Sequence, residues 1–256
     1  MSGGLKMSKV IGKLLEIEHG TQSALIYSTK EKSMVSSISE EELFPLASAS
    51  KLAVGYVVAQ SVQTGEFSWD NQVNDVSFNP LEDSEEIYPH LQGRTTLSLR
   101  DAVEVMIASH DSAVAEAVVD FFGGWQKVNK MIQKEFTTMA IQEDPQDPLN
   151  QSSAEDMFLL LKKTYDGYLE LPEVYEPVVN GLVRQQDHVP TIPVHHLNHM
   201  TGGLEHVIID IGILGSFHEE PFLYVVAVKD VPDRRRHKKA DEKVVETIQR
   251  LYKWVQ

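Results

Sequence analysis

Residues Phe44–Leu52 read FPLASASKL, which places two serines just before a lysine and ahead of an apolar run, AVGYVVAQ. A helix start needs only one small polar residue as its N-cap. If a helix begins near Ser48, residues three apart share a face and adjacent residues do not. Ser48 is therefore expected to pair with Lys51, whereas Ser50 is expected to pack or to make a local hydrogen bond.

This pairing makes Ser48 the candidate nucleophile. At a helix start its hydroxyl lies near the positive end of the helix dipole, which stabilises a developing anion. Lys51 is flanked by apolar residues, so it loses its proton more readily than in water and can serve as a base. The pattern S-x-x-K also occurs often by chance, so the alternative at this point is an ordinary helix start.

Strand-forming runs occur near both ends of the chain. SALIYS (Ser23–Ser28) and SMVSSI (Ser33–Ile38) form one expected hairpin, and VIIDIGIL (Val207–Leu214) and FLYVVAVK (Phe222–Lys229) form a second. We therefore predict an α/β (α+β) fold, in which one antiparallel sheet built from both chain ends is flanked by helices.

The chain between the hairpins has mostly helical periodicity, from Lys51 to about Val183, with loops at Asp70–Arg94 and Ala140–Ser153. This predicts a large inserted all-helical lobe, with a cleft between lobes as the usual place for a site. The predicted helices include Leu97–Met106, Ala113–Phe122, Val128–Phe136 and Ala154–Tyr165, with a short helix at Val10–Glu18 and an amphipathic one ending at Val255. The predicted lobes are residues 1–47 with 190–256, and residues 48–189, in one integrated domain.

Composition excludes several classes of function. With no cysteine, the chain has no disulfide, zinc thiolate or cysteine nucleophile. A formal charge of −15 argues against nucleic acid as a partner, and the basic run RRRHKK (Arg234–Lys239) is expected to be a solvated loop or helix start.

Targeting signals are also not evident in the sequence. No apolar run is long enough to span a bilayer, and MSGGLKMSKV lacks the apolar core of a signal peptide. We therefore expect no membrane partner and a cytoplasmic location, or export if a signal precedes this chain; Met7 is an alternative start.

Two further motifs follow FPLASASKL. Ser109-His110-Asp111 lies between two predicted helices, and His199-Met200-Thr201-Gly202-Gly203 comes just before the strand VIIDIGIL. A small Thr-Gly pair at a strand edge leaves room for a ligand to approach the backbone and its N–H groups.

With these motifs the chain resembles the serine β-lactamase and DD-peptidase superfamily, and most closely class A β-lactamases, whose motifs are S-x-x-K, S-D-N and K-T-G. The resemblance covers nearly the whole chain and is carried by FPLASASK, by LSLRDAVEVMIASHDSA with the following Gly-Gly, and by SSAEDMFLLLKK. It implies a β-lactamase/transpeptidase-like fold, a small-molecule substrate and no cofactor; the oligomeric state is left open.

The resemblance also implies roles for individual residues. Ser48 would be the acylated nucleophile, Lys51 its proton acceptor, and Ser109 the relay that passes a proton to the leaving nitrogen. Thr201 would bind the substrate carboxylate. The backbone N–H groups of Ser48 and Gly203 would form the oxyanion hole. Asp111 and Gly202 complete the predicted substrate-binding residues.

The chain departs from the family pattern at two of these motifs. Asp111 stands where the family has Asn, and Met200 where it has Lys. One cation is lost and one potential anion gained, so an anionic substrate should bind less well than in the family. His199 or Arg184 are the residues that would restore a charge.

A third departure lies in the Ω loop. Class A enzymes have a glutamate in E-x-x-L-N that activates the deacylating water, whereas this chain has QDPLN. Gln146 aligns with that glutamate. Asp147 supplies a carboxylate only if the loop is one residue short, and Glu143 is another candidate substitute.

A histidine cluster raises the question of a metal. His188, His195, His196 and His199 fall within twelve positions, and three histidines can bind zinc. No carboxylate or paired spacing on a regular element supports such a site, and two prolines break the segment. We therefore predict no metal.

These observations favour a serine hydrolase that is acylated at Ser48 by β-lactams or by related amides and esters, with weak β-lactam hydrolysis. One alternative is a DD-peptidase-like or penicillin-binding protein that acylates but hardly deacylates. The other is a binding or regulatory protein that keeps the fold without catalysis.

Overall fold

The structure of the protein, a computed structural model, describes residues 11–255. Its main element is a five-stranded antiparallel sheet with the strand order β2-β1-β9-β8-β7. Both chain ends contribute strands, as predicted. The strands are β1 (Thr21–Ser28), β2 (Ser33–Ile38), β7 (Leu197–Leu204), β8 (Val207–Leu214) and β9 (Phe222–Lys229).

Both faces of this sheet are covered. Alternate residues such as Ile211 and Val225 pack against the helical layer, while Tyr224 and Val226 on the other face pack under α8 (Lys239–Val255) and the 3-10 turn Leu14–Glu16. Because water reaches neither face, β8 and β9 are apolar almost throughout instead of alternating, which is typical of buried strands.

The helical layer agrees with the predicted inserted lobe. Its centre is α1 (Ser50–Gln63), which is buried on nearly every side. The remaining helices are α2 (Ser84–Ile87), α3 (Leu99–Ala108), α4 (Ser112–Phe122), α5 (Trp125–Ile132), α6 (Ala154–Glu170) and α7 (Pro172–Val183). The backbone N–H of Asp101 donates to Ser98 Oγ at 3.1 Å, which caps α3, and α4 ends at Gly123 with φ +110°.

The sequence did not predict every strand. The third-motif segment is itself the edge strand β7, since tertiary pairing overcomes the low strand propensity of its two glycines. Two further pairs of three-residue strands are too short to show a period. These are β3 (Leu43–Pro45) with β6 (Gln151–Ser153), and β4 (Gln72–Asn74) with β5 (Thr96–Ser98).

Some predictions remain untested. The start of the first predicted helix at Val10 and the N-terminal residues through Met7 lie outside the described residues. The lobe boundaries at residues 47/48 and 189/190 also stay predictions. Within residues 11–255, none of the helices has both the length and the apolar composition that a membrane crossing requires.

Candidate active site

Ser48 lies in a 3-10 turn, Ala47–Ala49, directly before α1. Ala47 has φ +47°, a left-handed conformation that costs a non-glycine residue about 1–2 kcal/mol. The turn is held from two sides, since the Ala47 carbonyl accepts hydrogen bonds from Ser50 Oγ at 2.9 Å and Asn150 Nδ2 at 3.3 Å. Ser50 thus makes the expected local hydrogen bond, and the strained turn presents Ser48.

Lys51 lies one turn further along, with its Nζ 3.4 Å from Ser48 Oγ. This contact is long, as catalytic hydrogen bonds often are without substrate. The Lys51 side chain is only 4% exposed. Burial lowers the pKa of Lys51 to about 8, although the carboxylates of Glu82 and Asp111 oppose the shift. Lys51 is therefore a base poised close to neutral pH.

Ser109 is not brought to this pair. It follows the last turn of α3, is fully buried, and its Oγ donates to the Val105 carbonyl at 2.7 Å. Within the described part of the chain, Ser109 makes no hydrogen bond to Ser48 or Lys51. The structure thus places the Ser109 hydroxyl away from the predicted relay position, because the side chain bonds back to its own helix.

Asp111, a predicted substrate-binding residue, has its carboxylate held by backbone N–H groups. Its carboxylate caps α4 by accepting the backbone N–H groups of Ala113 and Val114, and it accepts a third N–H from Asn79 at 3.0 Å. A fully buried carboxylate with these partners is a structural cap rather than a substrate contact. Its neighbour Ser112 lines the cavity next to Lys51 instead.

His110, the residue after Ser109, is oriented by a hydrogen bond to Gln185. Its Nε2 lies 2.7 Å from Gln185 Oε1, and Gln185 Nε2 donates to the Ile107 carbonyl at 2.5 Å. Because the carbonyl of Ile107 can only accept, the amide of Gln185 must turn its oxygen to His110. The proton of the neutral ring is therefore on Nε2, which leaves Nδ1 as an acceptor.

The electrostatic environment keeps this ring neutral. Burial lowers the pKa of His110, the hydrogen bond to Gln185 opposes that shift, and the nearby Lys51 ammonium lowers it again. The net direction is below the ordinary histidine value, so His110 is uncharged at neutral pH. His110, Asp111 and Ser112 thus differ in environment: a neutral ring, a buried cap of α4 and a residue that lines the Lys51 cavity.

The glycines of β7 set its distance from the Ser48 turn. A Cβ on Gly202 would lie 2.6 Å from the Leu46 carbonyl oxygen and 3.3 Å from the Ala49 nitrogen. Only glycine allows the edge strand to lie this close to the turn.

The register of β7 also orients Gly203. Gly215 N–H donates to the His196 carbonyl at 2.8 Å, which makes this a hydrogen-bonded pair in the β7–β8 ladder. Hydrogen-bonded and non-hydrogen-bonded pairs alternate along an antiparallel ladder. The N–H of Gly203 therefore points out from the free edge of the sheet.

The position of the family's lysine in the third motif holds no cation. Met200 is fully buried, and its Sδ accepts from Gln185 Nε2 at 3.4 Å. Thr201 Oγ1 donates to Asp187 Oδ2 at 2.8 Å. Arg184, one candidate for restoring the charge, is paired with Glu104 at 2.9 Å.

His199, the other candidate, lies in a buried network. Its Nδ1 is 2.9 Å from Asp210 Oδ1 and its Nε2 is 3.0 Å from the Asp187 carbonyl oxygen. Burial alone would lower the pKa of His199, but the Asp210 carboxylate and these hydrogen bonds raise it above the ordinary value. The positive charge of His199 is therefore balanced by Asp210.

The Ω loop carries its polar side chains to two cavities. Asp147 and Glu143 line the cavity of about 810 Å³ that contains Lys51, whereas the exposed Gln146 lines a neighbouring cavity with Gly203. Asp147 Oδ1 accepts from Leu149 N–H at 2.8 Å. The aligned residue Gln146 is thus separated from the Lys51 cavity, which Asp147 reaches.

Several of these residues had no signal in the sequence. Gln185 and Asp187 belong to the irregular segment after α7 and reach the site only by tertiary contact. His110 and Ser112 are sequence neighbours of the predicted residues Ser109 and Asp111. The sequence does not show that Asp111 caps α4, and this is why His110 and Ser112 were missed.

The histidines of the predicted cluster have separate environments. His188 and His195 are exposed, and His196 Nδ1 lies 2.8 Å from the Tyr252 hydroxyl. Across residues 11–255, no group of three or more His, Asp or Glu side chains is arranged to hold a metal ion.

Comparison with known proteins identifies the family. The profile of the β-lactamase enzyme family matches residues 6–254. The chain belongs to the β-lactamase enzyme family. No protein of curated function matches it at a significant level.

Solved structures of β-lactamase-family proteins share the fold along nearly the whole chain. A β-lactamase from Chitinophaga pinensis DSM 2588 has a TM-score of 0.81 at 18% identity and covers 98% of this chain and 100% of its own. A point mutant of PBP-A, solved as an acyl-enzyme complex with penicillin G, has a TM-score of 0.80 at 16% identity, with coverages of 98% and 96%. An ancestral class A β-lactamase has a TM-score of 0.78 at 16% identity, with coverages of 97% and 99%. The predicted resemblance and fold are confirmed.

Proposed function

We propose that this β-lactamase-family protein is a serine hydrolase that β-lactams, or related amides and esters, acylate at Ser48. The observation that carries the proposal is the buried Lys51, whose pKa is lowered to about 8 and whose Nζ lies 3.4 Å from Ser48 Oγ. A hydroxyl beside a base that is partly unprotonated at neutral pH is an activated nucleophile.

Acylation begins when Ser48 Oγ attacks the carbonyl carbon and its proton moves to Lys51 Nζ. The carbonyl oxygen becomes an oxyanion, which backbone N–H groups stabilise when they are aimed at it in advance. The outward N–H of Gly203 and the N–H of Ser48 are the proposed donors.

Collapse of this intermediate breaks the bond to the leaving group, and an amide nitrogen then needs a proton. Lys51 gives its proton to His110 Nδ1, and Nδ1 delivers it to the leaving nitrogen. His110 thus takes the relay role predicted for Ser109. The hydrogen bond from His110 Nε2 to Gln185 supports this role, because it keeps Nδ1 free.

We expect His110→Ala to slow acylation by about a hundredfold, at the lower end of the range for general acid–base groups, since a water molecule can replace part of the relay. Ser109→Ala is the matched control, because among residues 11–255 Ser109 Oγ donates only to the Val105 carbonyl. The measurement is the rate of mass increase of the intact protein with penicillin G. If Ser109→Ala slowed acylation and His110→Ala did not, the relay assignment would be wrong.

The acylated residue itself tests the proposed function. Penicillin G should form a covalent adduct that peptide mapping places on Ser48, where the hydroxyl adjoins Lys51. Ser48→Ala should remove the adduct, and Ser50→Ala should retain it because the Ser50 hydroxyl bonds to the Ala47 carbonyl. An adduct that survives in Ser48→Ala would refute the proposal.

A further inference from the structure

The third motif is occupied by a carboxylate of the protein itself. Thr201 Oγ1 donates its proton to Asp187 Oδ2 at 2.8 Å, and Met200 supplies no cation. One hydroxyl has one proton to donate, so a substrate carboxylate at Thr201 would have to displace Asp187. It would also face a like charge at close range, which weakens binding.

The surrounding charges do not compensate Asp187. Asp210 lies opposite Thr201 in the ladder, and its Oδ1 bonds to His199 Nδ1 at 2.9 Å and accepts from the Tyr224 hydroxyl at 2.6 Å. The charge of His199 is thus balanced by Asp210. Arg234, which lines the same cavity as Asp187, is paired with Asp241 at 2.6 Å.

The cavity lined by Lys51 is negatively charged, like the Asp187 carboxylate at the third motif. The buried Lys51, whose Nζ lies 3.4 Å from Ser48 Oγ, lines this cavity and is the single lysine or arginine among its described lining residues. Four carboxylates line the same cavity: Glu116, Glu143, Asp144 and Asp147. None of these four forms an ion pair within residues 11–255, so their charge is available to a substrate.

We propose that this site selects substrates that carry a positively charged group beside the scissile amide or ester, in place of the carboxylate of penicillins. The inference rests on the proposed acylation at Ser48 and names its substrate class. Asp187 and the four cavity carboxylates set the charge preference of the site, whereas Ser48 and Lys51 carry out the acylation.

The basic residues nearby do not reverse this preference. Arg235 and Lys238 line the neighbouring cavity of about 550 Å³, which shares no lining residue with that of Lys51. Both side chains are exposed and Glu205 lines the same cavity, so solvent and salt screen their charge.

Esters of one penicillin test the charge preference directly. The choline ester of benzylpenicillin carries a fixed positive charge at the carboxyl position, and its 3,3-dimethylbutyl ester replaces that nitrogen by carbon at equal size. Benzylpenicillin itself is the anion. We expect acylation of Ser48 by the choline ester to be about fivefold faster than by its neutral isostere, which corresponds to the upper end of the energy of one exposed ion pair. The choline ester should exceed benzylpenicillin by a larger factor. Added salt should reduce both ratios.

Asp187→Asn should reduce the ratio of choline-ester to benzylpenicillin rates by about fivefold. Asp120→Asn, which removes an exposed carboxylate near the end of α4, should leave the ratio unchanged. The charge preference would be wrong if the choline ester and its isostere reacted at equal rates, or if benzylpenicillin reacted faster. Either result would leave the proposed acylation at Ser48 intact. Absence of a Ser48 adduct with all three compounds would overturn both.

Discussion

Replacing Lys51 with methionine is expected to slow acylation of Ser48 by about a hundredfold to ten-thousandfold, the usual effect of removing a positioned general base. Methionine has a similar length and fills the same buried space, so the change removes the base and little packing. The measurement is the rate of adduct formation with penicillin G by intact-protein mass.

The pH dependence gives a second readout of the same group. Only unprotonated Lys51 accepts the Ser48 proton, and burial lowers the pKa of Lys51 to about 8. The acylation rate of the unchanged protein should therefore rise with pH, reach half of its plateau near pH 8 and level off above that, and Lys51→Met should lack this rise.

Stability separates this chemical effect from misfolding. Lys51 is only 4% exposed, and an ammonium group that is poorly solvated destabilises the folded state. Lys51→Met should thus unfold at an equal or higher temperature than the unchanged protein. Rapid acylation by Lys51→Met, with the rise near pH 8 intact, would show that another group is the base.

The main elements of the fold could be predicted because their signals are local. The apolar runs of β8 and β9 are strings of neighbouring residues, and the structure forms strands at both. Strand β7 was missed because its partner β8, rather than its own composition, determines its conformation.

The first motif is the part of the candidate site that the sequence displays most directly. Ser48 and Lys51 are related by helical spacing, which the sequence displays directly. In the second motif, the sequence does not show that the Asp111 carboxylate caps α4. That role is visible only in the structure, where the carboxylate accepts backbone N–H groups. Gln185 and Asp187 lie more than seventy residues from His110 in sequence, so no local pattern could connect them to the site.

Deacylation is expected to be the slow step of the reaction. Hydrolysis of the acyl-enzyme requires a base within reach of a water molecule, and the family uses the Ω-loop glutamate at the position of Gln146. An amide cannot accept a proton at neutral pH, and the exposed Gln146 lines the neighbouring cavity. Penicillin G should therefore give a burst of product close to one equivalent, followed by slow turnover. A persistent adduct would also be expected of a penicillin-binding protein that acylates but hardly deacylates. The absence of any burst or adduct would favour a binding protein that keeps the fold without catalysis.

The remaining turnover is expected to depend on Asp147, which lines the Lys51 cavity but has one oxygen held by Leu149 N–H at 2.8 Å. Asp147→Asn should slow the steady-state phase by about a hundredfold to ten-thousandfold, because it removes the base but keeps the shape of the side chain. The burst should stay fast, since acylation depends on Lys51. Gln146→Glu is the matched control in the same loop, and its carboxylate would face the neighbouring cavity, so the slow phase should not change. If Gln146→Glu accelerated turnover and Asp147→Asn had no effect, the aligned position would supply the base. If both were without effect, Glu143, the other Ω-loop carboxylate of that cavity, would be the base to replace next.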